Sequence, residues 1–424
     1  MRGIFTLPIL LTSALMVVGN VQGSEKIRSR ENWPDFRGPH HNGWSAAETV
    51  PLIWSENDNI IWKMLVHDRG WSTPVVWDDQ IWLTTATPDG RELFALCVDY
   101  RTGIVLHDIK IFDAAEPERI NSLNSYATPS PVIEAGRVYV HYGTYGTACL
   151  DTETGKILWQ RRDLHCDHLQ GPASSPFLHK NLLILHLEGQ DVQYLIALNK
   201  ENGNTVWKTS RPAELYRCIP LYRKAYTTPI IIEVDGSPQL ISNGAQACFA
   251  YDPDTGEELW RVVYGTDSTI SRPVAVPGLV YINTGYDADS PELWAVRPDG
   301  RGDVTGTHVV WKVKENIPNE SSPVIHDHLI YLVNDRGTAT CLDAASGEVV
   351  WQKNLEGKYG ASPVYAAGRI YFFNKKGTAT VVRAGREFER LAVNELESGF
   401  MASPVIVGDS FILRTRQHLY RIEE

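Results

Sequence analysis

The chain has 424 residues, a formal net charge of -11 and a pI near 5.7. No Lys/Arg run offers the cationic surface that phosphate neutralisation requires, so no nucleic-acid partner is expected, a local basic patch within the acidic total being the alternative. Hydrophobic residues make up 43% and charged residues 21%, a globular balance, and 13 Trp, 18 Tyr, 33 Gly and 24 Pro point to an all-β fold of short strands and many turns.

Residues 1–23 read as a signal peptide. Arg2 is followed by an apolar stretch from Ile4 to Val18, and Val21-Gln22-Gly23 places small residues for cleavage before Ser24. The apolar run is too short and too poorly flanked for a stable span. No Cys adjoins the cleavage site to carry a lipid, so an exported protein without a stable membrane anchor is expected, in the periplasm or at the cell surface. Residues 24–50 form an N-terminal extension. An isolated strand, Ile60-Ile61-Trp62-Lys63, follows it.

From there to the C-terminus the chain repeats itself. A small or hydroxyl residue, Pro and an apolar pair recur eight times, with the prolines at 74, 131, 176, 229, 273, 323, 363 and 404. Each copy leads into a turn, a second apolar run such as Val138-Tyr139-Val140, another turn and a third run. The unit closes on an Asp-x-x-Thr-Gly turn and a Trp strand, as from Asp151 through Thr154-Gly155 to Trp159. Asp bonds backbone amides two residues on, and Gly supplies the positive φ of the hairpin. Four short antiparallel strands per unit make a propeller blade.

The eighth unit ends at its third strand, Leu419-Tyr420-Arg421-Ile422. Trp62 precedes Pro74 by 12 residues, the spacing also seen from Trp311 to Pro323 and from Trp351 to Pro363. The N-terminal strand is therefore expected to complete the last blade, closing an eight-bladed β-propeller over residues 51–424 and leaving no open edge between its ends.

The Ser-Pro-Val strands, the Asp-x-x-Thr-Gly-x-x-x-Trp endings and the segment Trp33-Pro34-Asp35-Phe36-Arg37-Gly38-Pro39 resemble the pyrroloquinoline-quinone-like (PQQ-like) propeller family. The likeness looks closest to exported members grouped with the propeller subunit of the outer-membrane barrel assembly machinery (BamB-like). It is more distant from the quinoprotein alcohol dehydrogenases. Membership in the dehydrogenase branch implies PQQ, a Ca²⁺ ion held by converging oxygens, a catalytic Asp and often a disulfide between adjacent cysteines. The chain has no adjacent Cys pair and no Cys-x-x-Cys-His for haem. Asp287 and Asp289 are a possible ion-ligating pair, although acids in a turn are usually solvated. No Gly-x-Ser-x-Gly elbow is present, and no catalytic residue is assigned.

Loops between blades gather on one face of a propeller around its channel. From the outer-strand position to the next repeat Pro is 24 residues from His107, 17 from Trp159 and 22 from Trp207, so blades 1 to 4 carry the enlarged loops. They bring Asn121, Asn124, Tyr126, His168, Gln170 and Tyr226 towards that face. The residue before the repeat Pro is a hydroxyl in seven units, expected to bond local backbone. Arg272 alone departs from this pattern. It is read either as a bidentate site for carboxylate or phosphate at the channel mouth or as one half of a buried pair with an acid such as Glu320. Trp71, Glu320, Tyr359 and Phe400 lie near other strand starts as a candidate rim, with core packing the alternative for each. Cys166 and Cys218 hold equivalent places in adjacent loops and are the candidate disulfide. Cys97, Cys149, Cys341 and Cys248 read as buried core. His165-Cys166-Asp167-His168 lacks a second half for zinc, so no metal site is assigned. The functional expectation is a non-catalytic binding or scaffold propeller presenting its loop face to a protein, peptide or glycan. The alternatives are a PQQ-dependent dehydrogenase and a subunit of outer-membrane protein assembly.

Overall fold

Eight antiparallel sheets follow one another around a central axis. Blade 1 comprises Val75–Trp77, Gln80–Ala86, Glu92–Asp99 and Val105–Asp113, paired in that order from the channel outwards. The computed structural model describes residues 31–424 apart from 287–290, together with Gly3. The expected signal segment lies, apart from Gly3, outside the described residues. Among the described residues no helix is long and apolar enough to cross a membrane.

The innermost strand of seven blades is only three residues long, because the repeat Pro has no N–H and the ladder begins after it. The middle strands are buried on both faces, as in Leu329–Val333. The outer strands alternate, as in Val309–Val313. Apolar side chains from facing blades fill the wedges between sheets, so each blade's core is shared with its neighbour.

The turn closing each unit works as its sequence requires. Asp151 Oδ1 accepts from both the backbone N–H and the hydroxyl of Thr154 at 2.7 Å, and Gly155 has φ 70°. The Trp of one blade then lies on the Gly of the next blade's turn. A Cβ on Gly347 would stand 2.7 Å from the Trp311 ring, and one on Gly203 would stand 2.7 Å from Trp159. Gly347→Ala therefore meets both a positive φ of 75° and a ring, and a loss of about 1–3 kcal/mol in urea unfolding is expected.

The same contact proves ring closure. Ile60–Leu65 pairs antiparallel with His418–Ile422, with Trp62 opposite Arg421. Trp62 Nε1 donates to the Tyr100 carbonyl at 2.9 Å, and its ring covers Gly103 in blade 1. Blade 4 departs from the pattern. In blade 5 an insertion replaces the Thr-Gly turn, and its Gly302–Asp303 adds a parallel fifth strand beside Trp260 and Arg261. Trp260 accordingly turns inwards and donates to Gln239 of its own blade at 2.8 Å.

From Trp33 on, the N-terminal extension is part of the propeller body. Trp33 pairs with Val76, the middle residue of the inner strand of blade 1. The Pro34 carbonyl accepts from Ile133 of blade 2 at 2.9 Å. Arg37 donates to the carbonyls of Pro323 and Pro363 in blades 6 and 7. Trp44 then runs beside Tyr365, and Trp54 is buried among Tyr371, Phe373 and Phe411 before the chain enters its closing strand. The segment thus crosses the channel and ties opposite blades together.

Candidate ligand-binding mouth

The hydroxyls before the repeat prolines form a ring, and they bond the neighbouring blade rather than local backbone. The amide of Thr73 donates to Ser130 Oγ, that of Ser130 to Ser175 Oγ and that of Ser175 to Thr228 Oγ1, each at 2.9 Å. The circuit resumes from Arg272 N–H to Ser322 and continues through Ser362 and Ser403 back to Thr73. The one link not made runs from Thr228 to position 272, where arginine has no hydroxyl to accept.

Arg272 fills that gap by turning into the channel. Its side chain is fully buried, with Nη2 3.3 Å from Asp35 Oδ2, two bonds to the Pro229 carbonyl and one to the Phe36 carbonyl. The Arg272 side chain is therefore not an open-mouth residue, and its acid is Asp35 rather than Glu320. Sequence proximity favoured Glu320, but Lys375 takes both Glu320 oxygens at 2.7 and 2.9 Å. Burial raises the pKa of Asp35, but His41 and Arg272 outweigh it and hold the carboxyl below its ordinary value. Arg37 has no carboxylate partner among the described residues. Burial and the nearby Arg272 charge pull it down to about 9, so it stays charged at neutral pH.

Above this plug lies a cavity of about 220 Å³, floored by Phe36 and walled by ring hydroxyls, Asn121, Asn124, Gln170, Tyr226, Glu320 and Met401. Of the expected rim residues, Trp71, Tyr226 and Glu320 line it. Trp71 donates to the Leu123 carbonyl at 2.9 Å, with the Arg69 and Arg416 guanidiniums 5.0 and 5.8 Å from its ring. Burial and the Arg416 charge lower the pKa of Arg69. Burial pushes the Glu320 carboxyl up, against the pull of Lys375.

The other candidates stand behind the wall. Tyr226 donates to the His168 carbonyl at 2.8 Å, and His168 is itself buried against Gly143 and Pro172. Tyr126 donates to the Glu118 carbonyl at 2.7 Å and packs edge-on against Tyr145. Tyr359 and Phe400 are core, Phe400 lying edge-on to Phe373 at 5.0 Å. Phe36 was missed as the floor. The signal for it was an aromatic, charged segment, Trp33 to Arg37, inside an otherwise polar extension.

The candidate disulfide is not formed, and all six cysteines are free thiols. Cys166 is buried with Sγ 3.6 Å from His168 Nδ1. Cys218 sits between two short 3-10 helices, Ala213–Tyr216 and Pro220–Tyr222, which turn it towards the Tyr222 carbonyl. Equivalent sequence places did not become equivalent directions, because the longer loop folds on itself. Cys97, Cys149, Cys248 and Cys341 are buried as expected. Asp287 and Asp289 lie outside the described residues. Among the described residues no three His, Cys, Asp or Glu side chains gather as a metal site requires.

Comparison with known proteins agrees with this architecture. The tetrathionate hydrolase of Acidithiobacillus ferrooxidans is 22% identical over 262 residues, 53% of this chain and 48% of that protein. The chain thus spans about half the length of the curated relative it matches. BamB from Moraxella catarrhalis superposes with a TM-score of 0.60 at 10% identity, covering 86% of this chain and 99% of that one. The quinohemoprotein alcohol dehydrogenase of Comamonas testosteroni gives 0.66 at 13% identity, covering 92% and 80%. At these identities the likeness is one of fold. A family model described as outer membrane protein assembly factor BamB matches residues 46–215 and 191–424, the closing strand and all eight blades included. By that match, and by the repeats that carry it, the chain belongs to the BamB-like, PQQ-like propeller family.

Proposed function

We propose that this protein is an exported, non-catalytic binding or scaffold propeller that presents its mouth face to a partner. The observation that carries the reading is where large apolar side chains stay exposed on the enlarged loops. Leu123 is 59% exposed, Ile219 57% and Leu221 43%, on the loops of blades 1 to 4 that lead to the mouth. Exposed aliphatic side chains beside an open cavity suit a polypeptide better than a glycan. A role as a subunit of outer-membrane protein assembly is a specific form of this reading, favoured by the family match.

The dehydrogenase alternative fits the residues less well. A Ca²⁺ ion beside a quinone needs several convergent oxygens. Here Glu320 is the one carboxylate lining the cavity among the described residues, and Lys375 holds it.

A photo-crosslinking residue at position 123 or 219 is expected to capture an envelope protein, and one at Val206 on an outer strand is not. Leu221→Asp should weaken capture by about tenfold or more without moving the unfolding midpoint. Capture at 206 alone overturns the assignment of the face. Tight uptake of the quinone with Ca²⁺ and dye reduction on alcohols or sugars overturns the non-catalytic reading.

A further inference from the structure

Each hydroxyl of the ring accepts an amide bond from the blade before it. None of these hydroxyls donates to an acceptor among the described residues. Thr73, Ser130, Ser175, Thr228, Ser362 and Ser403 all line the cavity, and each is more than nine-tenths buried. Their O–H protons are the unspent half of the ring. A hydroxyl that already accepts a bond is polarised into a better donor. A buried O–H with no acceptor costs free energy that a guest oxygen would return.

Charge at the rim has the matching sign. Arg69 and Arg416 flank Trp71, and neither has a carboxylate partner among the described residues. Glu320, the acid in the wall, is neutralised by Lys375. Apart from the Gln170 amide, these polar groups with unused capacity are donors and cations, although the whole chain is acidic. A neutral sugar would use the hydroxyls and leave the two guanidiniums uncompensated.

We infer that the mouth cavity is an oxyanion site, in which the ring hydroxyls and the Arg69–Arg416 pair receive a carboxylate or a sulfate-like group. This deepens the binding reading above and rests on it. The oxyanion is either the acidic end of a docking polypeptide or a free anion, and the two arms of the test separate these sources.

The test is calorimetry on the whole protein, with sodium sulfate in one arm and an acetylated oligoglutamate peptide in the other, against sodium chloride at matched ionic strength. Saturable binding in at least one arm is expected. Arg416→Gln, at an exposed position, should weaken it about tenfold, since a charge-assisted bond contributes roughly that much. Arg386→Gln, at an exposed position where the arginine pairs with Asp343 rather than flanking Trp71, should not. Ser362→Thr should keep binding and Ser362→Ala reduce it; if the alanine variant does not fold, Arg416→Gln still decides. Sulfate and peptide both indistinguishable from chloride, or wild type and Arg416→Gln binding alike, overturns the inference. If partner capture at position 123 persists but neither anion competes, the oxyanion site fails while the binding face stands. If an anion binds as expected and no partner is captured at 123 or 219, the oxyanion site stands and the partner reading fails.

Discussion

Asp35→Asn should cost the fold about 3–5 kcal/mol, because it leaves the buried Arg272 guanidinium without its counter-charge. Asp35 is 2% exposed, Arg37 1% and Arg272 1%, so water cannot replace the lost carboxylate. Arg37, beside it, relies on three carbonyls, those of Asn42, Pro323 and Pro363, and offers no acid to take the place of Asp35. The contact also joins blade 5 to the N-terminal segment across 237 positions of sequence. Its loss should therefore loosen the channel seal as well as lower stability. Urea unfolding measures the first effect, and limited proteolysis around residues 31–45 measures the second. Asp35→Asn with Arg272→Met should recover part of the loss, since removing both charges is less costly than stranding one. A single Asp35→Asn variant as stable as wild type would show that the ion pair contributes nothing.

Acid should unfold this protein earlier than its carboxylates alone dictate. His141 and His168 are both buried, and burial drives their pKa values down to about 3 and about 4. His141 Nδ1 lies 2.8 Å from Thr147 Oγ1, and His168 Nε2 faces the Gly143 turn with no partner. Both are neutral in the folded state. The unfolded chain takes up their protons below about pH 6.5, so stability is complete above that value and falls as pH drops towards the folded values. Between pH 7 and pH 4.5 the two together should cost about 5 kcal/mol. Glu188, held down at about 2 by the Arg211 charge and neighbouring hydrogen bonds against its burial, adds to the loss lower in the range. Thermal midpoints at the two pH values give the slope, and His141→Asn should flatten it. An equal slope in wild type and variant would place the acid sensitivity elsewhere.

The repeat was legible because its physics is local. Ser-Pro starts, Asp-x-x-Thr-Gly turns and Trp outer strands each act within one blade or between adjacent blades, and they recur often enough to be counted. The closing strand was legible for the same reason, since Trp62 keeps the spacing to Pro74 that Trp311 keeps to Pro323. The anomaly at position 272 was visible too, as the one break in a series of hydroxyls.

Its partner was not. Glu320 is nearer in sequence, but Asp35 reaches Arg272 only because the N-terminal segment passes through the channel, and no repeat records that path. The hydroxyl ring was misjudged in the same way, because a serine bonding its own turn and a serine bonding the next blade have the same sequence. Cys166 and Cys218 were placed together by loop position, and a helical turn in the longer loop sent one thiol elsewhere.

The amino-acid sequence by itself determined the blade, the number of blades and the way the ends join, since each depends on contacts that repeat at a fixed spacing. Only the tertiary structure decided what lies in the middle. The channel brings single residues from distant parts of the chain to one axis, and their pairing depends on direction and burial rather than on spacing.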